Sequence, residues 1–337
     1  MRCALIIGVA GETLSPDEVA FLRITRPCGL ILFSRNCREP GQIRRLVGDV
    51  KAAIGSASLL VLIDQEGGRV QRLRSPQWRE LPAAGTYGAL YAKDCEWATR
   101  AARVVARLTA ADLRLIDVNA NCAPVLDLAI PGANGIIGDR AYGRTPNQVA
   151  RLGHAVGEGY MAGGVLPVMK HIPGHGRALA DSHLELPVVA APWAELLRTD
   201  FAPFRALRDM PAAMTAHVVY TGVDPEAPAS TSAVVTKAVI RGEIGFDGLL
   251  MSDDLSMKAL TGSIRSRAEA AMRAGSDVAL HCNGVLAEMD EAAAGVPALA
   301  GAALERFERC LVVLERAEAF DAAEAEAMLA DVLAAAA

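Results

Sequence analysis

An Asp-Ser-His unit at residues 181–183 contains residue types that transfer protons. The carboxylate of Asp181 can accept the Nδ1 proton of His183, which fixes the tautomer of the ring and raises its basicity. A dyad of this kind can donate a proton to a leaving oxygen and then take one from water. The structural alternative is that Asp181 caps a short helix and His183 lies at the surface.

The segment ahead of this unit reads Lys-His-Ile-Pro-Gly-His-Gly over residues 170–176. It places a cationic pair, Lys170 and His171, in front of two glycines that permit unusual backbone angles and close approach of a ligand. Loops of this composition can be mobile. We therefore expect residues 174–183 to have above-average B-factors, or differing conformations, when no ligand is bound.

Two further segments place carboxylates directly after apolar runs. The first reads Asp-Gln-Glu-Gly-Gly-Arg-Val-Gln-Arg over residues 64–72, and its charged side chains can hold vicinal hydroxyls or, alternatively, form a salt-bridged turn. The second ends in Asp253 and Asp254. Because adjacent strand residues point to opposite faces, we expect only one of these aspartates to face a site. The other would cap a helix or pair with a basic neighbour.

Short apolar runs alternate with amphipathic segments and must position these groups. Eight runs are typical of buried strands: 3–9, 28–33, 59–64, 115–122, 164–169, 212–218, 247–253 and 276–282. Helical segments lie between them: 39–54, 95–112, 145–162, 192–208, 231–243 and 263–274. This rhythm predicts an α/β fold, a (β/α)8 TIM barrel forming one catalytic domain over residues 1–337, with extra C-terminal helices. A doubly wound sheet is the alternative, but no Gly-x-Gly-x-x-Gly follows a strand.

Polar side chains end most of the predicted strands, where barrel enzymes build their active sites. The strand-end residues are Ser34, Arg35, Asn36, Asp64, Gln65, Glu66, Asn121, Lys170, His171, His217, Asp253, Asp254 and Asn283. Many of these side chains can bind sugar hydroxyls or transfer protons. A purely structural rim would not need so many.

The composition narrows the class of protein further. Of 337 residues 52% are hydrophobic and 22% charged, which suits a large core and excludes general disorder. The net charge of −5 gives no footprint for nucleic acid, and no stretch approaches a membrane span. Seven scattered cysteines without a Cys-x-x-Cys predict free thiols in a reducing compartment. The short first run, interrupted by Gly8, predicts a buried strand rather than a signal peptide, so we expect a cytoplasmic protein.

In combination and in this order, six segments resemble glycoside hydrolase family 3. They are DQEGGRVQR at 64–72, APVLDL at 123–128, IGDRAYG at 137–143, KHIPGHG at 170–176, DSHLELP at 181–187 and MSDDLSM at 251–257. The block from KHIPGHG to DSH is similar to that of the single-domain bacterial β-N-acetylglucosaminidases of peptidoglycan recycling. The resemblance implies an exo-acting, retaining enzyme that removes terminal β-linked N-acetylglucosamine from fragments such as GlcNAc-anhydroMurNAc peptides. A covalent glycosyl-aspartate intermediate belongs to that mechanism.

The resemblance also implies roles for individual residues. Asp253 would be the nucleophile and His183 the acid/base, with Asp181 as its partner. Five residues match positions that hold the terminal sugar: Asp64, Arg72, Arg140, Lys170 and His171. The resemblance implies no cofactor and no metal, a small-molecule glycoside as substrate, and favours a monomer. The sequence departs from the family pattern at Ile172, where Phe is frequent, and in the less polar loop 177–180.

Some assignments stay open at this point. His175 and Arg69 are expected to organise loops, whereas His217 and Asn121 either line the floor of the site or serve the core. A metal-dependent barrel hydrolase is a competing interpretation, although the first strand has no His-x-His; its ligand-like residues would be His171, His175, Asp181, His183, His217 and Asp253. A non-catalytic sugar-binding protein is a third. The sequence does not choose between water and phosphate as acceptor, or define the aglycone.

Overall fold

A computed structural model describes residues 2–335, in which eight parallel strands close into a barrel. The strands are β1 (Cys3–Ile7), β2 (Pro27–Leu32), β3 (Leu60–Ile63), β4 (Ala120–Asn121), β5 (Leu166–Ile172), β6 (Ala212–Thr215), β7 (Leu249–Asp254) and β8 (Val278–His281). Each strand pairs with its neighbours in the chain, and β8 closes the barrel against β1. The prediction of a (β/α)8 barrel is confirmed.

The eight strands fall within or overlap the eight predicted apolar runs, but β4 and β5 differ from them in extent. β4 has only two residues, and the Asn119 side chain just before it adds to the pairing with β3: it accepts the Val61 N–H at 2.7 Å and donates to the Leu59 carbonyl at 2.9 Å. β5 instead continues to Ile172. Lys170 and His171 therefore lie within a strand rather than in the loop after it.

Helices surround the barrel and cover its outer face. They are α1 (Pro16–Thr25), α2 (Pro40–Ile54), α3 (Ala84–Tyr91), α4 (Cys95–Arg114), α5 (Pro146–Ala162), α6 (Trp193–Arg198), α7 (Ala202–Ala206), α8 (Ile264–Ala274), α9 (Leu286–Ala294), α10 (Gly301–Val313) and α11 (Ala322–Ala334). The predicted helix 192–208 is broken into α6 and α7, and a π-helix, Val235–Glu243, occupies most of the predicted helix 231–243. The last two helices confirm the predicted C-terminal additions.

Strand residues alternate between two apolar layers. In β3, Leu60 and Leu62 pack inside the barrel, whereas Val61 and Ile63 pack in the layer facing the helices. The inner layer continues into Phe307 of α10, which is fully buried. Near this end of the barrel the Leu299 N–H donates to the Arg2 carbonyl at 2.7 Å. The segment leading into α10 and α10 itself thus cover the amino-terminal end of the barrel, and the carboxyl end is left for a site.

The seven cysteines are all unbridged, as the sequence predicts, and four of them are buried. Within residues 2–335, no helix is both long enough and apolar enough to cross a membrane.

Candidate active site

A cavity of about 240 Å³ opens at the carboxyl end of the barrel. Seven of the eight predicted site residues line it: Asp64, Arg72, Arg140, Lys170, His171, His183 and Asp253. The eighth, Asp181, is not part of the lining but contacts His183. The barrel therefore brings the separate sequence segments to one place.

Five charged side chains form an ion-pair network in the wall of this cavity; they are called the charged cluster below and comprise Asp64, Glu66, Arg72, Arg140 and Lys170. The Lys170 ammonium lies 2.7 Å from an oxygen of Asp64 and 2.7 Å from an oxygen of Glu66. Arg72 donates to the other oxygen of Asp64 at 2.9 Å. Arg140 forms two hydrogen bonds of 2.9 Å with Glu66, a bidentate geometry that fixes both partners.

Asp64, Glu66 and Lys170 retain their charges although burial disfavours the charged forms. Burial raises the pKa of Asp64, but the Lys170 and Arg72 cations outweigh this effect and hold the pKa well below its usual range. Burial likewise raises the pKa of Glu66, and Lys170 and Arg140 bring it below the ordinary value. For Lys170, burial lowers the pKa, whereas the two carboxylates raise it above its ordinary value. The result is a fixed array of hydrogen-bonding ions.

A hairpin that follows β3 positions Glu66 and Arg72. Its strands, Gln65–Gly67 and Val70–Gln71, pair antiparallel. Gly67 has a φ of 101°, and a Cβ there would lie 2.2 Å from the Pro82 carbonyl oxygen, so the turn needs glycine. Asn121 anchors the start of the hairpin, since its side-chain amide bonds the N–H and the carbonyl of Gln65 at 2.9 Å each. Asn121 is fully buried and serves the core rather than the floor of the cavity.

His171 reaches the cavity beside Lys170 because β5 is irregular there. The pairing of β5 with β6 shifts register between Lys170 and Ile172, and such a bulge re-aims side chains that would otherwise alternate. The Nδ1 atom of His171 lies 2.6 Å from Asp127, a fully buried carboxylate. Burial raises the pKa of Asp127, but His171 and His175 lower it below its ordinary value. Asp127 thus orients the ring of His171. The Nε2 atom of His171 takes no part in that contact.

The predicted dyad forms on the loop after β5. The Nδ1 atom of His183 lies 2.8 Å from Asp181 Oδ1, and the same oxygen accepts the backbone N–H of His183 at 2.9 Å. The side chain of His183 is 61% exposed, in contrast to the charged cluster. Burial raises the pKa of Asp181, but the hydrogen bonds from His183 lower it below the ordinary value. The carboxylate is therefore available to hold the ring in one tautomer.

Asp253 and Asp254 both line the cavity, so the expectation that only one would face it is wrong. The reason is a register shift between β7 and β8 over residues 251–254, which interrupts the alternation of side chains. The carboxylate of Asp254 is occupied: it accepts from Ser256 and from the Cys282 N–H at 3.1 Å. It shapes the loop after β7 and, within the described residues, neither caps a helix nor forms a salt bridge, which differs from the role expected for the second aspartate.

The Asp253 carboxylate has a single hydrogen bond within the described residues, from the Asp254 N–H at 2.8 Å. Burial raises its pKa, but His217, His171 and that N–H outweigh burial and lower the pKa below its ordinary value. His217 is itself fixed, with Nε2 2.9 Å from the Asp254 carbonyl oxygen and Nδ1 2.6 Å from Ser230. An ionised carboxylate with free lone pairs in a cavity can act as a nucleophile.

The two residues expected to organise loops do so. Arg69 donates to Asp139 at 2.8 Å and to the Gly135 carbonyl at 2.8 Å, which ties the hairpin to the loop before Arg140. His175 donates its backbone N–H to Asp127 at 2.6 Å. Among the described residues, no three His, Cys, Asp or Glu side chains come together as a candidate metal-binding group. Four of the ligand-like residues proposed from the sequence, His171, His175, His183 and Asp253, line the same cavity without forming such a group.

Known proteins of similar sequence identify the family of this chain. The N-terminal domain of glycosyl hydrolase family 3 matches residues 11–309. The chain belongs to glycosyl hydrolase family 3. Relatives of this family 3 enzyme include a beta-hexosaminidase of Bordetella avium, 40% identical over 283 residues that cover 83% of this chain and 80% of the relative. A beta-hexosaminidase of Alkalilimnicola ehrlichii is 42% identical with the same coverage.

Among solved structures, NagZ from Neisseria gonorrhoeae in complex with N-trifluoroacetyl-D-glucosamine matches with a TM-score of 0.88 and 34% identity, covering 98% of both chains. The family and the named relatives make this chain a glycoside hydrolase.

Two residues that shape the candidate site were not among the predicted site residues. Glu66 pairs with both Arg140 and Lys170, and Asp127 orients His171. The signal for Glu66 was present, since it lies two residues after Asp64 in the same motif. Asp127 is harder to predict from the sequence because it lies in an apolar segment. Only the structure shows that it is buried beside His171 and orients that ring.

The departures from the family pattern lie beside the site without interrupting it. Ile172 is fully buried at the end of β5. Arg177, in the less polar loop, donates to Asp200 at 2.6 Å and lies 2.8 Å from Glu195. This part of the loop is thereby fixed to the segment around α6.

Proposed function

We propose that this family 3 enzyme is an exo-acting, retaining β-N-acetylglucosaminidase. The observation that carries the proposal is that one cavity contains Asp253, the His183–Asp181 dyad and the charged cluster. A nucleophile, a proton donor and an array of hydroxyl-binding groups are the parts that retaining glycoside hydrolysis requires. The named beta-hexosaminidases and the complex of NagZ with N-trifluoroacetyl-D-glucosamine support the choice of the sugar.

In the first step Asp253 attacks the anomeric carbon while the bond from that carbon to the leaving oxygen breaks. The Nε2–H of His183 donates its proton to the leaving oxygen, and a glycosyl ester of Asp253 forms. In the second step His183 takes a proton from water, which attacks the same carbon and releases Asp253. The Asp181 carboxylate holds the ring through Nδ1 in both steps, because the 2.8 Å contact leaves Nε2 for the substrate.

The charged cluster is proposed to hold the hydroxyls of the terminal sugar, together with His171. Its ions are paired with one another before a sugar arrives, so they need no rearrangement in the transition state. Hydrogen bonds from ions to hydroxyls can then strengthen as the ring distorts. Lys170 and Arg72 donate, while Asp64 and Glu66 accept.

The substrate is proposed to be a peptidoglycan fragment such as a GlcNAc-anhydroMurNAc peptide. Such fragments carry carboxylates on the side of the leaving group. A histidine acid/base places no second anion beside them, unlike the carboxylic acid used by most retaining enzymes. Arg69, which lines the cavity and is 42% exposed, places a guanidinium at its edge that is paired with Asp139. We further propose a single catalytic domain over residues 1–337, acting as a cytoplasmic monomer on a small-molecule substrate without nucleic acid.

The test compares two aryl glycosides that differ only at C2. We expect release of nitrophenolate from 4-nitrophenyl N-acetyl-β-glucosaminide, and far slower release from the corresponding β-glucoside. Turnover excludes a non-catalytic sugar-binding protein. A preference for the glucoside, or no turnover of either compound by folded protein, contradicts the proposal. Digestion of a GlcNAc-anhydroMurNAc peptide, followed by mass spectrometry, then tests the substrate class.

A further inference from the structure

The loop that carries the dyad has one buried side chain. Over residues 179–186, called the dyad loop below, Ser182 is 3% exposed and every other residue is partly or fully exposed. Leu179 and Leu184, for example, are 72% and 66% exposed. Ser182 lies between Asp181 and His183, so whatever holds this serine also places the dyad.

His175 makes the side-chain contact to Ser182. Its Nε2 atom lies 3.1 Å from Ser182 Oγ, and the imidazole is buried beside His171 at a ring separation of 5.7 Å. The backbone N–H of His175 donates to Asp127 Oδ1 at 2.6 Å, and Asp127 Oδ2 holds Nδ1 of His171. The buried carboxylate of Asp127 therefore anchors both His171 and His175, the histidine that contacts the dyad loop.

The dyad has few other attachments to the barrel within residues 2–335. The side chain of Asp181 and the ring of His183 hydrogen-bond only within the loop. The Ser182 carbonyl accepts the Ala259 N–H at 3.2 Å, and the Leu179 carbonyl accepts from Asn134 at 3.5 Å. His175 thus provides the side-chain hydrogen bond closest to the dyad.

We infer that His175 is a positioning residue whose Nε2–Ser182 hydrogen bond holds the Asp181–His183 dyad over the cavity. This inference rests on the proposed function, because it assigns His175 to the proton transfer that His183 performs. It also specifies which atom acts. The Nδ1 atom of His175 is buried without a hydrogen-bond partner in the described residues, so Nε2 alone makes the contact.

Burial and the nearby His171 lower the pKa of His175 to about 4, so the ring is neutral near pH 7. A glutamine has its amide at about the position of Nε2, whereas the shorter asparagine has its amide near Nδ1. The pair of variants therefore separates the Ser182 contact from mere occupation of the space.

The experiment measures kcat/KM for a GlcNAc disaccharide and for an aryl GlcNAc glycoside with a highly acidic phenol, in His175→Gln, His175→Asn and Ser182→Ala. The disaccharide needs protonation of its leaving oxygen, and the aryl glycoside does not. We expect His175→Asn and Ser182→Ala to lose about 10-fold on the disaccharide, the effect of one lost buried hydrogen bond. Losses on the aryl glycoside should be smaller, inhibition by free N-acetylglucosamine unchanged, and His175→Gln close to the parent.

Combining His175→Asn with Ser182→Ala should cost no more than either change alone, since both remove the same contact. Amide hydrogen exchange should accelerate in the dyad loop of Ser182→Ala and stay unchanged in the barrel strands. Ser182→Ala keeps a small side chain at its site, so it tests the inference even if a change at His175 unfolds the protein.

Parental activity of Ser182→Ala on the disaccharide overturns the inference, as do equal losses on both substrates. His183→Ala, measured in parallel, tests the proposed function separately. If His183→Ala shows the leaving-group dependence and the Ser182 and His175 variants do not, only the inference fails. If His183→Ala itself shows no such dependence, the proposed acid role of His183 fails.

Discussion

The charged cluster and the dyad loop serve the same cavity but are built in opposite ways. The side chains of Lys170 and Glu66 in the cluster are 3% and 5% exposed; Lys170 lies in β5 and Glu66 in the hairpin that follows β3. The side chain of His183 is 61% exposed and lies on a loop. In the proposed mechanism, recognition of the sugar depends on groups fixed before binding, whereas proton transfer depends on an exposed group carried by a loop.

Burial also limits which residues of the segment 174–183 can be expected to move. Residues 173–176 are buried, and Gly176 packs so closely that a Cβ would lie 2.2 Å from the Leu128 carbonyl oxygen. Leu179 is the first residue after this stretch whose side chain is largely exposed. The prediction that residues 174–183 adopt differing conformations without ligand stays a prediction, and the packing limits the segment most free to move to the dyad loop.

Replacement of Asp253 is expected to have the largest effect, because it removes the proposed nucleophile, which both regions would serve. Asp253→Ala should lower kcat on the order of 10⁴-fold or more on every substrate. A 5-fluoro glycoside of N-acetylglucosamine should label Asp253 in the parent, as read by mass spectrometry of peptides. A label on Asp254 or Glu66 would show that the nucleophile is misassigned.

Replacement of His183 tests the exposed side of the comparison, the dyad loop. His183→Ala should lose about 10²- to 10⁴-fold on a disaccharide and much less on an aryl glycoside whose phenolate departs unaided. Asp181→Ala should show the same pattern more mildly, because it only orients and tunes the ring. His154 provides a matched control, since it is an exposed histidine 3.6 Å from a carboxylate, Glu158, away from the cavity. Equal losses on both substrates would redirect attention to His175 or Glu185.

Replacement of Arg72 or Asp64 tests the fixed side. Either change to Ala should weaken sugar binding and lower kcat by about 10- to 100-fold, independently of the leaving group. Asp64→Ala should also lower the melting temperature, because Lys170 loses one of its two buried carboxylate partners. Arg45→Ala, in the exposed Arg45–Glu39 pair, is the control. Normal kinetics in both variants would make the 64–72 hairpin purely structural.

The buried His175, which contacts the dyad loop, should make stability depend on pH. His175 has a pKa of about 4, below the usual 6.5, so between these values the unfolded chain binds a proton that the folded chain excludes. The free energy of unfolding should fall as the pH is lowered through this window, by up to about 3 kcal/mol. His281, whose pKa burial also lowers, adds to the slope. Denaturation of His175→Gln at pH 7 and pH 5 should show a smaller difference than the parent, and an equal difference would refute the assignment.

Metal removal should have no effect, since carboxylate and imidazole perform the proposed chemistry. Activity after prolonged dialysis against EDTA should equal that of an untreated sample. A loss of activity that returns with added zinc would instead favour the metal-dependent barrel hydrolase.

The sequence predicts the barrel well because the strands of a buried parallel sheet appear in the sequence as continuous apolar runs. It predicts the strand ends less well, since the side-chain amides of Asn119 and Asn121 hydrogen-bond the backbone of β3 and of the hairpin, yet in the sequence they look like ordinary polar residues. The sequence also does not predict the two register shifts, one between β5 and β6 and one between β7 and β8. Alternation along a strand predicts that Asp253 and Asp254 face opposite sides, and only the pairing with the neighbouring strand shows otherwise.

The seam between β1 and β8 has a consequence for how the chain folds as it is synthesised. The first strand pairs with residues 279–281, and the Ala4 N–H donates to the Pro297 carbonyl at 3.0 Å. Contacts of such long sequence separation slow folding. Until the ribosome has released almost the whole chain, β1 lacks its second neighbour and the inner residues of the barrel remain open to water. A nascent chain stalled before residue 279 should therefore expose apolar surface to chaperones, however complete its first seven strands are.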